Sequence, residues 1–339
     1  MFVMKIQTST FNKVILALLV LALLFVITIR PDTYLSSPAG ADTLRTLNDF
    51  LTTLRSILIQ SFPFLFIGVG ISVLVGLFFK EEWIIKILPK NRFLSHIMIS
   101  LFGVFMPVCE CGNVPVARRL IMKGFTVSQA VTFLLAAPIL NPVTIWTTYT
   151  AFKDIYPDPI ILVSRLLGGF LIANFIGIVL SYKKNQFGML TDSFYKEVCD
   201  PQEDHIKNKF AKALDIFQKE FITVATALIF GSIIASITSI YFRDVVLSIG
   251  SSPTLSIVAM ILFSLVISVC SSVDSFLVIT YTSSFTVGSI VSYLLFGPMI
   301  DIKILTMLRS TFKTKTLITI TVMVTLLSAL AGLLINYIL

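Results

Sequence analysis

The sequence predicts an all-α, polytopic membrane protein. It reads as two inverted-topology repeats, each of three transmembrane helices plus a re-entrant helical hairpin, preceded by one extra N-terminal helix. Three observations lead there. The chain is 56% hydrophobic and only 13% charged, where a soluble protein carries about a quarter charged residues. Several apolar stretches reach the roughly 20 residues a membrane-spanning helix needs. Residues 103–142 and 264–302 also match each other. Cys109 falls on Cys270, Asn113 on Asp274, Phe125-Thr126-Val127 on Phe285-Thr286-Val287, Pro138 on Pro298 and Asn141 on Asp301. The offset is 161 residues (270 − 109), becoming 160 (285 − 125) after a single-residue slip.

The first apolar run, 14–29, follows Lys5 and Lys13. A small-residue cleavage pattern at Ala39-Gly-Ala41 lies far beyond it, so the run reads as an uncleaved helix rather than a signal peptide. The further apolar spans are 54–79, 93–108, 125–150, 159–181, 215–242, 254–270, 285–308 and 316–338. Polar segments lie between the third and fourth spans and between the seventh and eighth. They are either loops or the turns of hairpins that re-enter the membrane.

Positive charge decides between these, because Lys and Arg concentrate in cytoplasmic loops. If every span crosses and the N-terminus is inside, the loops carry 11 Lys and Arg on each side. If 93–124 and 254–284 are hairpins entering from opposite faces, the count becomes 18 inside against 4 outside (Arg30, Arg45, Lys153 and Arg243). Arg55, Arg165, Lys219 and Lys303 are placed at span ends and enter neither tally. The hairpin arrangement gives each unit an odd number of crossings, which inverts the second copy relative to the first. The expected divisions are 1–44 (first helix and external linker), 45–182 (first repeat), 183–212 (a cytoplasmic tether) and 213–339 (second repeat). Gly68 and Gly231 align between the first helices of the two units, though weakly.

A duplicated polar break in apolar sequence points to a transporter's substrate site. The first break is Pro107-Val-Cys109-Glu110-Cys111-Gly112-Asn113-Val-Pro115. Pro115 lacks an amide donor and Gly112 loosens the chain, so non-helical backbone is expected here, lining a cavity. The second is Ser268-Val-Cys270-Ser271-Ser272-Val-Asp274-Ser275. Tip-to-tip turns would converge Cys109, Glu110, Cys111, Cys270 and Asp274 as metal ligands, with Gly112, Asn113, Ser271 and Ser272 beside them. Thiolates select soft ions, and a bound metal lowers a thiol's pKa. A buried Cys is more often a small hydrophobe. Intramembrane carboxylates resist that bland reading, since they mark ion or proton pathways.

Pro138 with Asn141, and Pro298 with Asp301, repeat inside the following spans. Each Pro frees carbonyls that can contact substrate, or makes an ordinary kink with a capped polar neighbour. Arg118 and Arg119 read as snorkelling topology anchors, with a gate as the alternative. His96 and His205 are single and uninformative. The net charge of +8 belongs to cytoplasmic loops and not to nucleic-acid binding. Phosphate-binding-loop, zincin, kinase and hydrolase signatures are absent.

The Cys109-Glu-Cys111-Gly-Asn-Val-Pro115 break and the Leu-Leu-Ala-Ala-Pro138-Ile-Leu-Asn-Pro142 run resemble the predicted permease family that includes the trivalent organoarsenical efflux permeases. Cys270-Ser-Ser-Val-Asp274 and Phe-Gly-Pro298-Met-Ile-Asp301-Ile-Lys303 resemble its largely uncharacterised branch. The resemblance covers most of residues 50–339. It implies a permease of the cytoplasmic membrane, in a branch also associated with metal homeostasis, including zinc. Glu110 replaces the small residue more usual between the paired cysteines, adding a hard oxygen ligand or a proton carrier.

The sequence therefore reads as a secondary-type permease and not an enzyme. It would move a soft metal or metalloid species through a midplane site of cysteines and carboxylates. The bilayer and a small inorganic or organometal substrate are its expected partners. No resident cofactor is expected beyond a soft metal ion carried as substrate. Three alternatives stay open: a permease for another small solute, a membrane subunit of a two-component metal (zinc) uptake system with an accessory protein, and an intramembrane thiol-redox enzyme using Cys109 and Cys111. Against the last, Cys-x-x-Cys is the commoner redox spacing.

Overall fold

The computed structural model describes residues 41–78, 89, 91–105, 109–155, 159–199, 209–248, 253–282 and 284–338. The expected first helix (14–29), Pro107, His205 and part of the 183–212 segment lie outside the described residues. What is described is almost entirely helical. Helix α1 runs Ala41–Phe78, α2 Arg92–Phe102, α3 Glu110–Met122, α4 Val127–Leu140, α5 Pro142–Phe152, α6 Ile160–Ser181 and α7 Asp192–Cys199. Helix α8 runs Lys209–Ser248, α9 Pro253–Ile267, α10 Asp274–Val278, α11 Val287–Met299, α12 Ile302–Leu308 and α13 Thr314–Ile338.

Among the described residues, six spans are long and apolar enough to cross a membrane: Leu47–Gly76, Val127–Phe152, Ile160–Ser181, Ala213–Ser239, Val287–Leu308 and Thr314–Ile338. Two of these are interrupted. The α4–α5 span breaks at Asn141, and the α11–α12 span breaks at Ile300 and Asp301. The interrupted spans are the innermost: their most apolar windows are 67% and 78% buried, against 22% for the α13 span. That order follows from the backbone. A break frees N–H and C=O groups that lipid cannot satisfy, so the broken helix must be wrapped in protein.

Each break carries its own substitutes for the lost bonds. Pro142 has no amide hydrogen to give to the Pro138 carbonyl, and the Thr144 hydroxyl donates to that carbonyl instead, at 2.9 Å. The Asn141 side chain caps α5 by accepting from the Val143 N–H at 2.8 Å. Asp301 caps α12 through the Ile304 N–H at 2.5 Å. Helices α4 and α11 start alike, on Thr126 and Thr286 whose hydroxyls accept from the third amide onward.

Around this centre α6 packs on α4, and α13 on α11. Helices α1 and α8 pack together through Phe62, Phe66, Phe217 and Phe221. They cover α3 and α12 respectively. Glycine sets the α1–α3 spacing: a Cβ on Gly68 would lie 2.3 Å from the Gly112 carbonyl oxygen. Gly168 and Gly169 face Leu295 and Ile139, so their close contacts are internal.

Three expectations are corrected. The stretch from Gly112 to Pro115 is helical, and the irregular backbone precedes Glu110. Pro115 deletes only the bond to the Cys111 carbonyl, and Gly112 serves the contact with α1. The 183–212 segment is not a plain tether over its described part. Residues 187–199 fold onto the 310–313 turn, with the Thr191 N–H bonded to the Thr311 carbonyl at 2.9 Å and the Lys313 N–H to the Met189 carbonyl at 2.9 Å. Arg118 and Arg119 do not snorkel. Arg118 is buried, donates to Glu197 at 3.1 Å, and lies 4.4 Å from the Phe194 ring centroid. Arg119 pairs with Glu220, which also accepts from the Ser72 hydroxyl at 2.6 Å.

Gly68→Ala is expected to destabilise the protein by about 1–3 kcal/mol through overpacking. Gly70→Ala, whose Cβ meets nothing within 4 Å, is expected to be neutral or slightly stabilising. Thermal melts of the two purified variants check this; equal melts would remove the close crossing.

Candidate functional site

The matched breaks adopt the same local turn. The Cys109 carbonyl accepts from the amides of Gly112 at 3.1 Å and Asn113 at 3.3 Å. The Cys270 carbonyl accepts from those of Val273 at 2.9 Å and Asp274 at 3.1 Å. Cys109 is the N-cap residue of α3, whereas Cys270 opens the turn that leads into α10 at Asp274. Just before the second turn, Ser268 takes a φ of 51°, a left-handed conformation uncommon for a residue with a Cβ.

The two turns meet at Glu110. Ligand atoms of Cys109, Glu110 and Cys111 all lie within 4.8 Å of one another, and all three residues are buried. From the other turn the Cys270 Sγ approaches Glu110 Oε2 to 3.8 Å. The Ser271 hydroxyl donates to the same oxygen at 3.2 Å, and the Ser271 N–H points to it at 3.5 Å. The Ser272 hydroxyl lies 3.5 Å from Cys270 Sγ. None of the four cysteines is in a disulfide. Two free thiols and one carboxylate therefore cluster, with the third thiol, Cys270, against the carboxylate, a donor set suited to a soft ion or a thiophilic metalloid. Glu110 also borders an apolar cavity of about 20 Å³, between Val114, Leu134, Met299, Ile304 and Phe312, with room for about one water.

Asp274 is placed differently from the other four expected ligands. Arg165 holds it through both terminal nitrogens, at 3.1 Å to Oδ1 and 2.5 Å to Oδ2. The same guanidinium donates to Thr148 at 2.7 Å and Ser275 at 2.8 Å. Asp301 and Asn141 act as helix caps, with Asp301 Oδ2 also 3.6 Å from the Lys303 ammonium. Asn113 is fully buried, and neither its side-chain oxygen nor its nitrogen has a hydrogen-bond partner among the described residues. It follows Glu110 by three positions, so helical geometry puts the two on neighbouring faces of α3. Gly112 is turned to α1.

Two basic residues expected at span ends belong here instead. Arg165 is 0% exposed and Lys303 1% exposed. The Lys303 ammonium lies 3.1 Å from Glu110 Oε1 and 3.4 Å from the Ser268 carbonyl. Sequence reasoning missed both by assigning basic residues to the interface. The available signal was position: each lies within an apolar span, several residues from its nearest polar end.

Removing Arg165 strands a buried carboxylate, which costs about 3–5 kcal/mol where measured in comparable buried pairs. Arg165→Met is expected to melt far below the parent, and Arg165→Met/Asp274→Asn to recover much of the loss. Additive losses in thermal melts would remove the pair as a stabilising unit.

The profile of the predicted permease family ArsP_1 matches residues 46–337. The chain is 36% identical over 263 residues to the UPF0718 protein YcgR of Bacillus subtilis, covering 76% of this chain and 87% of that protein. It is 30% identical over 273 residues to a Streptococcus mutans protein named "Putative two-component membrane permease complex subunit", covering 78% of this chain and 87% of that one. A shorter match, 27% identical over 79 residues, links it to the UPF0718 protein YraQ of Escherichia coli, covering 23% of each chain. No solved structure matches. With the family's profile spanning nearly every described helix, this multi-pass membrane protein belongs to the predicted permease family.

Proposed function

We propose that the chain is a secondary-type permease that carries a soft metal or metalloid species through the thiol–carboxylate enclosure. The observation that carries this reading is the convergence of Cys109, Cys111 and Cys270 on Glu110 from turns some 160 positions apart. Three free thiols around one carboxylate is more than the packing role of buried cysteine requires. Each thiol that ligates gives up its proton to solvent, and the ion's charge offsets the thiolates. Asn113 adds a vacant donor and acceptor for the substrate or its bound water, since buried polar atoms ordinarily have partners.

The proposed architecture is two inverted repeats, 45–182 and 213–339, in the cytoplasmic membrane with the N-terminus inside. The identical turns at Cys109 and Cys270, the paired Thr126 and Thr286 caps, and the parallel packing of α6 on α4 and α13 on α11 support it. The Streptococcus mutans relative is named as a complex subunit; an accessory protein acting with this chain is the corresponding proposal.

Cys109→Ser/Cys111→Ser tests the substrate class. Cells expressing the parent chain are expected to change their content of one metal or of arsenic, and cells expressing the double variant are not. The sign of the change gives the direction of transport. An unchanged content of every element would sink the soft-ion reading and leave the family assignment intact. Asn113→Ala, at parental expression, is expected to slow that transport about tenfold, the value of one lost hydrogen bond. Parental rates in this variant would give the Asn113 amide to water.

A further inference from the structure

We propose that a cavity at the membrane end of α2, α3, α4 and α6 binds the headgroup of an anionic phospholipid, with Arg92, Lys183 and Lys184 taking the phosphate. The proposal is independent of what the thiols carry.

The cavity has a volume of about 820 Å³, within the range of about 300–1,000 Å³ typical of small-molecule sites. Its walls lie at the edge of the apolar spans: Val127–Phe152 begins there and Ile160–Ser181 ends there. Helices α2 and α6 run antiparallel past each other. The Asn174 side-chain amide donates to the Ser100 hydroxyl at 3.0 Å. One turn further on, a Cβ at Gly177 would lie 2.9 Å from His96 Nδ1. This register brings Arg92, the first residue of α2, beside the end of α6, where Lys183 and Lys184 follow. The loop carrying the lysines is pinned. The Lys183 N–H donates to the Leu180 carbonyl at 3.1 Å, Gln186 Oε1 accepts from the Ser128 N–H at 3.2 Å, and Asn185 Oδ1 accepts from the Gly188 N–H at 2.9 Å.

The lining carries charge of one sign. Arg92, Lys183 and Lys184 line the cavity, and no Asp or Glu does among the described residues. None of the three pairs with a carboxylate among the described residues. Helix α7 borders the cavity through Val198, yet its two carboxylates are engaged elsewhere: Asp192 with Lys313 at 3.0 Å and Glu197 with Arg118 at 3.1 Å. Like charges around one cavity repel, and an anion among them relieves that repulsion. A guanidinium and two ammonium groups suit a phosphate.

The remaining surface favours a lipid over a free anion. Met122, Phe125 and Phe187 give the cavity apolar walls. From Arg92, α2 leads into the membrane with Leu94, Met98 and Leu101 exposed along one face, and Phe175 and Val179 are exposed on α6. A phosphate held by the three cations leaves these faces to its acyl chains. Basic pockets between spans at a membrane face are suited to anionic headgroups. Topology alone asks only for basic residues near the interface; it does not ask for three without carboxylate partners around one apolar-walled cavity.

The test uses the full-length protein, solubilised in neutral detergent and stripped of lipid. It is titrated with dioleoyl phosphatidylglycerol or dioleoyl phosphatidylcholine, and bound lipid is read by native mass spectrometry. The parent is expected to bind phosphatidylglycerol about tenfold more tightly than phosphatidylcholine. Lys183→Gln/Lys184→Gln is expected to bind phosphatidylglycerol about tenfold more weakly than the parent, and Arg92→Gln more weakly as well. Arg309→Gln/Lys315→Gln removes two charges beside the 310–313 turn, at the same membrane end, and is expected to stay within about twofold. All five side chains are exposed, so the variants are expected to fold. Equal binding of the two lipids by the parent, or equal losses in the two double variants, overturns the site. Inorganic phosphate that displaces phosphatidylglycerol at comparable concentration assigns the cavity to a soluble anion and overturns the lipid.

Discussion

Glu110 and Asp274 are buried carboxylates in a chain that crosses a membrane, and each is neutralised by a cation from the opposite half of the sequence. Arg165, in the first half, reaches Asp274 in the second; Lys303, in the second, reaches Glu110 in the first. An unpaired charge in such surroundings costs more than most single contacts return. Neither break can therefore settle without the other half in place. The crossing of the two pairs makes the enclosure a product of assembly between halves.

The interrupted helices follow from the same requirement. Breaking α4–α5 at Asn141 and α11–α12 at Asp301 frees backbone groups at membrane depth. Thr144, Asn141 and Asp301 replace the missing partners from within a few residues. Local repair keeps these spans rigid enough to place Thr148 against Arg165 and Lys303 against Glu110. Wrapping is left to the uninterrupted helices. Their approach depends on small residues, as at Gly68 against Gly112 and Gly288 against Gly332, since packing rather than hydrophobic burial joins helices in lipid.

Much of this was legible in the sequence because it depends on local chemistry. The cysteines, Glu110 and the duplicated Asn141 and Asp301 stand out as polar residues in apolar runs. The Phe-Thr-Val triplets mark two helix starts by a side-chain cap that needs no tertiary partner. The cationic partners were missed because a basic residue toward the end of a span is read by the interface rule as an anchor; their positions several residues inside apolar spans were the one hint, and the fold shows that Arg165 and Lys303 are buried. Pro115 misled for a related reason. A proline early in a helix removes one hydrogen bond, and whether the helix tolerates that depends on what surrounds it. Here α1 packs alongside and helix α3 continues through Pro115 to Met122.

The ties on α3 are unequal at its two ends. At the far end Arg118 bonds Glu197, Ser310 and Thr311. Arg119 joins Glu220, which Ser72 also holds. These contacts fasten α3 to α7, α8, α1 and the turn before α13. At the near end the charged contact is the single ammonium of Lys303. The guanidinium ties thus gather at one end of α3, while the other is held by the close approach of Gly112 to Gly68 and by the contacts of Cys270, Ser271 and Lys303 with Glu110. That is the end where Cys109, Glu110 and Cys111 sit.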